Sequence, residues 1–157
     1  MPVPEQGPST YFITASTYRR KTIFQTDRMS LLFADVLFHY RHQKKYLLHE
    51  FVVMPDHFHL LISPIETLEK AAQLIKGGFS CRAKKELQFG EEIWEKSFYD
   101  RRVRDEDEYE RIRIYIHQNP VTRGLTVGAR EYPYSSAADG FVLDEVPQRL
   151  KPIRRAS

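Results

Sequence analysis

The apolar positions of this chain fall into blocks that switch between two periods. Tyr11 to Thr17 reads Tyr-Phe-Ile-Thr-Ala-Ser-Thr, dense in aromatic and β-branched residues, and predicts a first strand. From about Asp27, the residues Met29, Leu32, Phe33, Val36, Leu37 and Tyr40 recur at helical spacing. Tyr46 to Met54 and His57 to Ser63 are two further strands, and the Pro55-Asp56 turn between them makes an antiparallel hairpin. Pro64 ends the hairpin, and Thr67 is placed to cap a second helix whose apolar side is Leu68, Ala71, Ala72, Leu74 and Ile75. That helical pattern resumes through Leu87, although Gly77-Gly78 weakens its middle. Ile93 to Tyr99 reads as a fourth strand. Asp105, with Glu108 three residues on, resembles a capping box and opens a third helix that Pro120 should stop.

The resulting order is β-α-β-β-α-β-α. Its first six elements match the split βαβ, ferredoxin-like pattern, an α+β fold with an antiparallel sheet and helices on one face. Side chains alternate along a strand, so His57 and His59 share one face of the third strand while Phe58, Leu60 and Ile62 share the other. The apolar trio is expected to face the helices. The two histidines would then stand on the open face, within reach of a ligand. Two neighbouring imidazoles on a rigid strand make half of a metal site. By itself a His-x-His pair is more often packing or surface, and a third ligand and a reactive group would have to come from elsewhere in the chain.

Length and composition narrow the setting. At 157 residues, 41% hydrophobic and 29% charged, the chain reads as one soluble globular domain. It divides into a loose Pro-rich arm at 1–9, a folded domain at 10–143 and a basic, mobile tail at 144–157. No apolar run approaches a membrane span, and the N-terminus lacks the pattern of a signal peptide, so the expected compartment is cytoplasmic. The single cysteine, Cys81, excludes an intrachain disulfide and any cysteine-built zinc site. Net charge is only +3, yet the basic residues cluster: Arg19-Arg20-Lys21, Lys44-Lys45, Arg82 with Lys84-Lys85, and Arg101-Arg102 with Arg104. Such clusters fit a polyanion partner, although any one of them could be an ordinary solvated surface.

In the third helix Tyr109, Ile112 and Ile116 form the expected buried stripe. Tyr115 lies at the edge of that stripe, one turn after Arg111 and one turn before Asn119. Alone, Tyr115 reads as a rim residue with a buried ring and a wet hydroxyl, and Asn119 as a helix C-terminal residue.

Together the motifs say more. Met54-Pro55-Asp56-His57-Phe58-His59-Leu60-Leu61, followed by Tyr115-Ile116-His117-Gln118-Asn119-Pro120-Val121, resembles the single-tyrosine HUH (His-hydrophobe-His) transposases, and most closely the REP-associated tyrosine transposases. Trp94, Phe98-Tyr99-Asp100-Arg101 and Tyr132-Pro133-Tyr134-Ser135-Ser136-Ala137 are similar to that family too. The resemblance spans about residues 10–140. It implies an HUH endonuclease fold with the tyrosine on the C-terminal helix, and a metal-dependent single-strand DNA endonuclease and strand-transfer enzyme working through a 5′-phosphotyrosine, at palindromic or hairpin repeats. It maps the metal-binding histidines onto His57 and His59 and the nucleophile onto Tyr115. The usual third ligand, one turn after the tyrosine, falls on Asn119, with Gln118 as competitor; His117 should point away. Imidazole and amide ligands suit Mg²⁺ or Mn²⁺, Mn²⁺ the better.

The basic clusters at Arg19, Arg20, Lys21, Lys76, Arg82, Lys84, Arg101, Arg102 and Arg104 are the candidate contacts to single-stranded or hairpin DNA, and exposed aromatics could stack on unpaired bases. The resemblance leans toward a monomer with its site built within one chain; a homodimer is the alternative. Two other readings compete with this one. A non-catalytic nucleic-acid-binding module on the same sheet would not need His57, His59, Tyr115 and Asn119 to converge. A metallohydrolase would need a carboxylate beside the histidines, and Asp56 is expected to face away.

Overall fold

A computed structural model describes residues 8–151. Four strands form one antiparallel sheet: β1 (Tyr11–Ser16), β2 (Tyr46–Met54), β3 (His57–Pro64) and β4 (Tyr99–Arg102), in the order β2-β3-β1-β4. Three helices join them: α1 (Asp27–His42), α2 (Leu68–Leu87) and α3 (Glu106–Thr122). The expected α+β, ferredoxin-like order is present.

Helix starts follow from local chemistry. The side chains of Thr26, Thr67 and Asp105 each accept a hydrogen bond from the backbone N–H three residues on, satisfying a donor that the first turn cannot. The capping box of α3 is only half made, because Glu108 turns its carboxylate to Arg101 rather than back to the cap. Helix α2 runs unbroken through Gly77-Gly78. A Cβ on Gly78 would come 2.8 Å from the Tyr40 ring, so glycine there lets α1 and α2 approach closely.

The main core lies between the sheet and the pair α1/α2. Ile13, Ala15, Phe51, Phe58, Leu60 and Ile62 of the strands meet Phe33, Leu37, Ile75 and Phe79 of the helices. Phe24, Phe33, Phe58, Phe79 and Trp94 form a ring cluster with centroids between 4.7 and 6.2 Å apart. The period-two reading of β3 is therefore correct on this face.

The other face is not open. Helix α3 lies across it, and Tyr109 and Ile116 pack with Val52, Met54 and Leu61 into a second, smaller core. A bulge between Leu48 and Glu50 alters the pleat of β2. The His49 ring comes within 6.2 Å of Tyr109, and the carboxylate of Glu50 bonds His117, so both reach α3.

Three boundaries move from their expected places. The fourth strand begins at Tyr99 rather than Ile93, because Ile93 and Trp94 are drawn into the core, leaving only a bridge between Trp94 and Thr17. Helix α3 continues through Pro120 to Thr122; in the last turn a proline costs one backbone bond, and Arg123 and Leu125 N–H groups cap the final carbonyls. The stretch expected to start a mobile tail is packed up to Lys151. Asp144 takes Arg41 and the Leu48 N–H on its carboxylate, and Leu150 is buried in the second core. Arm residues 1–7 and tail residues 152–157 lie outside the described region.

The Tyr132–Ala137 motif has a structural role. Its backbone pairs with Phe51 and Val53, and the Tyr132 hydroxyl donates to the Val53 carbonyl at 2.6 Å. It thus covers the free edge of β2.

Phe33 is fully buried at the centre of the ring cluster. Phe33→Ala should lower unfolding free energy by about 3–5 kcal/mol, read from urea unfolding midpoints. A loss under about 1 kcal/mol would show that the cluster does not carry the core.

Candidate active site beneath helix α3

The site starts from the register of β1 on β3. Thr14 stands opposite His59, and its hydroxyl lies 2.7 Å from His59 Nδ1. Asp56, in the turn before β3, places Oδ1 2.7 Å from His57 Nδ1. With each Nδ1 carrying the proton, His57 donates to a carboxylate and His59 to a hydroxyl. Both Nε2 atoms are then acceptors, that of His59 meeting the Asn119 amide. The ring centroids are 4.8 Å apart, and the residues are 3% and 4% exposed.

The electrostatics keep both rings neutral. Burial, the neighbouring His57, Arg123 and Arg20 push the His59 pKa down to about 3. Burial also lowers His57, and Arg20 and Arg123 add to this, while the hydrogen bond and charge of Asp56 pull the other way. Burial alone would raise Asp56, but His57 and Arg20 bring it below its ordinary value. A neutral imidazole is the form that binds a metal.

Helix α3 brings the remaining groups. Asn119 is 5% exposed, and its Nδ2 donates to His59 Nε2 at 3.3 Å. Its Oδ1 is buried with no hydrogen-bond partner, a cost of roughly 1–3 kcal/mol that an electrophile at this point would remove. Tyr115, one turn earlier, is 51% exposed, and its ring centroid lies 5.2 Å from that of His59. Phe12 stacks on His59 at 5.3 Å and meets Tyr115 edge-on at 6.1 Å, forming the floor between them. Of the two expected third ligands, Asn119 meets a histidine while Gln118 is exposed to solvent. His117 turns away to Glu50, as expected.

Among the described residues no three His, Cys, Asp or Glu side chains gather as a metal site. The groups that could hold a cation are two imidazole nitrogens and one amide. Asn119 Nδ2 stands beside the His59 Nε2 and the Oδ1 of the same amide has no partner, so a flipped amide would fit a cation there.

The candidate DNA cations are spread differently from one another. Arg19 and Arg20 take left-handed backbone angles, φ 54° and 55°, in the turn after β1. Arg20 bonds Ser16 and lies 3.7 Å from Asp56, at the mouth of the site. Arg19 sits over the Tyr18 ring. Lys21 pairs with Glu91, and Lys76 donates to the Glu95 carbonyl, burial lowering its pKa. Arg82 is tied to Glu86 and Asp35, which raise its pKa, and so is the least available. Arg101 pairs with Glu108 beside Tyr115, Arg102 is engaged on β4, and Lys84 and Arg104 are exposed.

Sequence reasoning missed Thr14, Asp56, Phe12 and Arg123. Asp56 was expected to face away; it bends back onto His57 because a turn residue need not obey strand alternation. Arg123 lies beyond the point where α3 was expected to end.

A four-stranded antiparallel sheet thus carries a histidine pair on one central strand, faced by a helix bearing tyrosine and asparagine. The chain belongs to the IS200-like transposase family, whose model ("Transposase IS200 like") matches residues 8–119. It is similar to a Haemophilus influenzae protein named "Putative REP-associated tyrosine transposase", 30% identical over 96 residues, covering 54% of each chain. A second, uncharacterized protein of Haemophilus influenzae is 29% identical, covering 46% of this chain and 53% of its own. The chain thus spans about half the length of the curated relatives it matches. In fold it matches a REP-associated tyrosine transposase solved bound to a REP hairpin, at TM-score 0.69 and 17% identity, covering 95% of this chain and 94% of that one. A Deinococcus radiodurans protein described as a "putative transposase" matches at TM-score 0.54 and 22% identity, covering 74% of this chain and 94% of that one. Among the described residues no helix is long and apolar enough to cross a membrane.

The buried neutral histidines set a pH dependence. In the unfolded chain a histidine takes up its proton near pH 6.5, whereas His59 in the fold resists protonation to about 3. The unfolded state therefore binds more protons, and metal-free protein should lose stability as pH falls from about 6.5 toward 3. Urea midpoints in chelator at pH 7.5 and 4.5 should show a smaller acid loss in His59→Gln than in the parent. An equal loss in both would mean that His59 is not held neutral.

Proposed function

We propose that this protein is a metal-dependent single-strand DNA endonuclease and transposase that cuts and rejoins DNA through a 5′-phosphotyrosine on Tyr115. The observation that carries the reading is the gathering of the His57–His59 pair, the Asn119 amide on His59 and the half-exposed Tyr115 ring beside His59. Its membership of a transposase family supports the same reading.

Each residue has a task in the step. Tyr115 Oη attacks a backbone phosphorus, forming the Oη–P bond as the P–O3′ bond breaks; the phenol gives its proton to solvent water, and the departing 3′-oxygen takes one from solvent. Phe12 and the turn of α3 hold the Tyr115 ring over the His59 side of the site. Arg20 and Arg123 supply positive charge where a phosphate would enter. Transposases of this kind generally use a divalent metal ion. Mg²⁺ or Mn²⁺ held by His57, His59 and Asn119 would withdraw charge from the phosphate oxygens. Asp56 and Thr14 orient the two imidazoles.

The fold match to a transposase bound to a REP hairpin supports hairpin DNA as the substrate class. Tyr115 faces histidines of its own chain, which favours a monomer acting in cis. The exposed cations Arg19, Lys84 and Arg104, with Arg20, are the stronger candidates for DNA backbone contacts; Arg82 is the weakest.

Incubation with hairpin DNA and Mn²⁺ should give a covalent protein–DNA band on a denaturing gel, absent with chelator and absent in Tyr115→Phe. A band that survives Tyr115→Phe moves the nucleophile elsewhere. Binding without any band favours a non-catalytic module. Asp56→Ala should weaken Mn²⁺ binding by about 10–100-fold, measured by calorimetry, with little change in fold. Unchanged affinity would remove Asp56 from the metal's support.

A further inference from the structure

A cleft of about 380 Å³ opens beside Tyr115, and the histidines are not among its lining residues. Its walls are Phe12, Tyr99 and Ile112, and its polar groups are Arg111, Arg101 and Glu108, with Tyr115 at the rim. Tyr99 is 56% exposed at the sheet edge, an unusual place for a large ring in a strand with no further neighbour. Phe12 lies 6.3 Å from Tyr99 and 6.1 Å from Tyr115, so three rings border one space. Arg101 and Glu108 are joined at 3.1 Å, presenting donors and an acceptor side by side at one end. Arg111, one turn before Tyr115, forms no ion pair or hydrogen bond with another described residue.

Flat aromatic walls, a short polar end and a free guanidinium suit a planar, polar ring. They do not suit a phosphate, which would need converging cations without a carboxylate. Resting on the function proposed above, we propose that this cleft binds one unstacked nucleobase. It belongs to the nucleotide immediately 3′ of the cut, which stays tethered to Tyr115 through its 5′-phosphate. Tyr99 supplies the stacking face, and Arg111 with the Arg101–Glu108 pair reads the base edge. The cleft then does two jobs. It gives sequence preference at one position, and it holds the covalent nucleotide so that the freed 3′-end can be exchanged.

The test separates the cleft from the chemistry. A hairpin with a single-stranded flank is scanned with one abasic site at a time, and binding to the Tyr115→Phe protein is measured by fluorescence anisotropy. One position should lose about tenfold in affinity when its base is removed, as expected for one lost stack. In Tyr99→Ala on the same background the intact DNA should bind about tenfold more weakly and the abasic DNA no more weakly still. Tyr99→Phe should restore the difference. In protein with Tyr115 intact, the cut should fall directly 5′ of that nucleotide. No sensitive position, sensitivity that persists in Tyr99→Ala, or a cut elsewhere overturns the proposal. Tyr99-dependent sensitivity without any covalent band leaves the base cleft standing and sinks the cleavage reading. A covalent band without base sensitivity does the reverse.

Discussion

Strand β3 is buried along its whole length on both faces, and its two-residue period decides which side chains meet which layer. Phe58, Leu60 and Ile62 lock it to α1 and α2, while His57, His59 and Leu61 are fixed in register beneath α3. A slip of one residue would put two imidazoles into the aromatic cluster and three apolar side chains against Asn119. The large core therefore sets the positions of the histidines more strictly than any contact within the site could. The neighbouring strand adds to this, because Thr14 reaches His59 only in the observed pairing of β1 with β3.

Burial then shapes the chemistry. Taking the histidines out of water, with Arg20 and Arg123 nearby, keeps them uncharged at neutral pH and leaves their Nε2 atoms as donors of electron pairs. The same burial leaves Asn119 with an unsatisfied oxygen. A fold that maximised its own stability would have filled that position with a partner or an apolar side chain. The unmet oxygen lies in the polar cluster beneath the exposed Tyr115 ring.

The second face is partly closed and partly left open. Tyr109 and Ile116 seal α3 to the sheet on one side, and Leu150 with the Asp144 contacts holds the chain's last described segment against β2. Toward β4 the covering stops, and Phe12, Tyr99 and Tyr115 border the cleft that carries the base-binding proposal. The sheet is thus braced where it must be rigid and accessible where a strand of nucleic acid could lie.

The sequence by itself determined the element order, the faces of β3 and the helix caps at Thr67 and Asp105, and it singled out His57, His59 and Tyr115, with Asn119 ahead of Gln118 by helical spacing, as candidates. Those follow from period, from cap chemistry and from motifs a few residues long, all of which are local. It misplaced β4 and the end of α3, where core packing overrode a β-rich pattern and a proline. It also read the histidine face as open. Only the tertiary structure decided that α3 covers this face, that Asp56 and Thr14 meet the Nδ1 atoms of the two imidazoles, that Asn119 is buried against His59 while Gln118 is exposed, and that Arg82 is committed to carboxylates. Each of those depends on residues distant in sequence meeting at a particular register or helix rotation, and local patterning carries no information about that meeting.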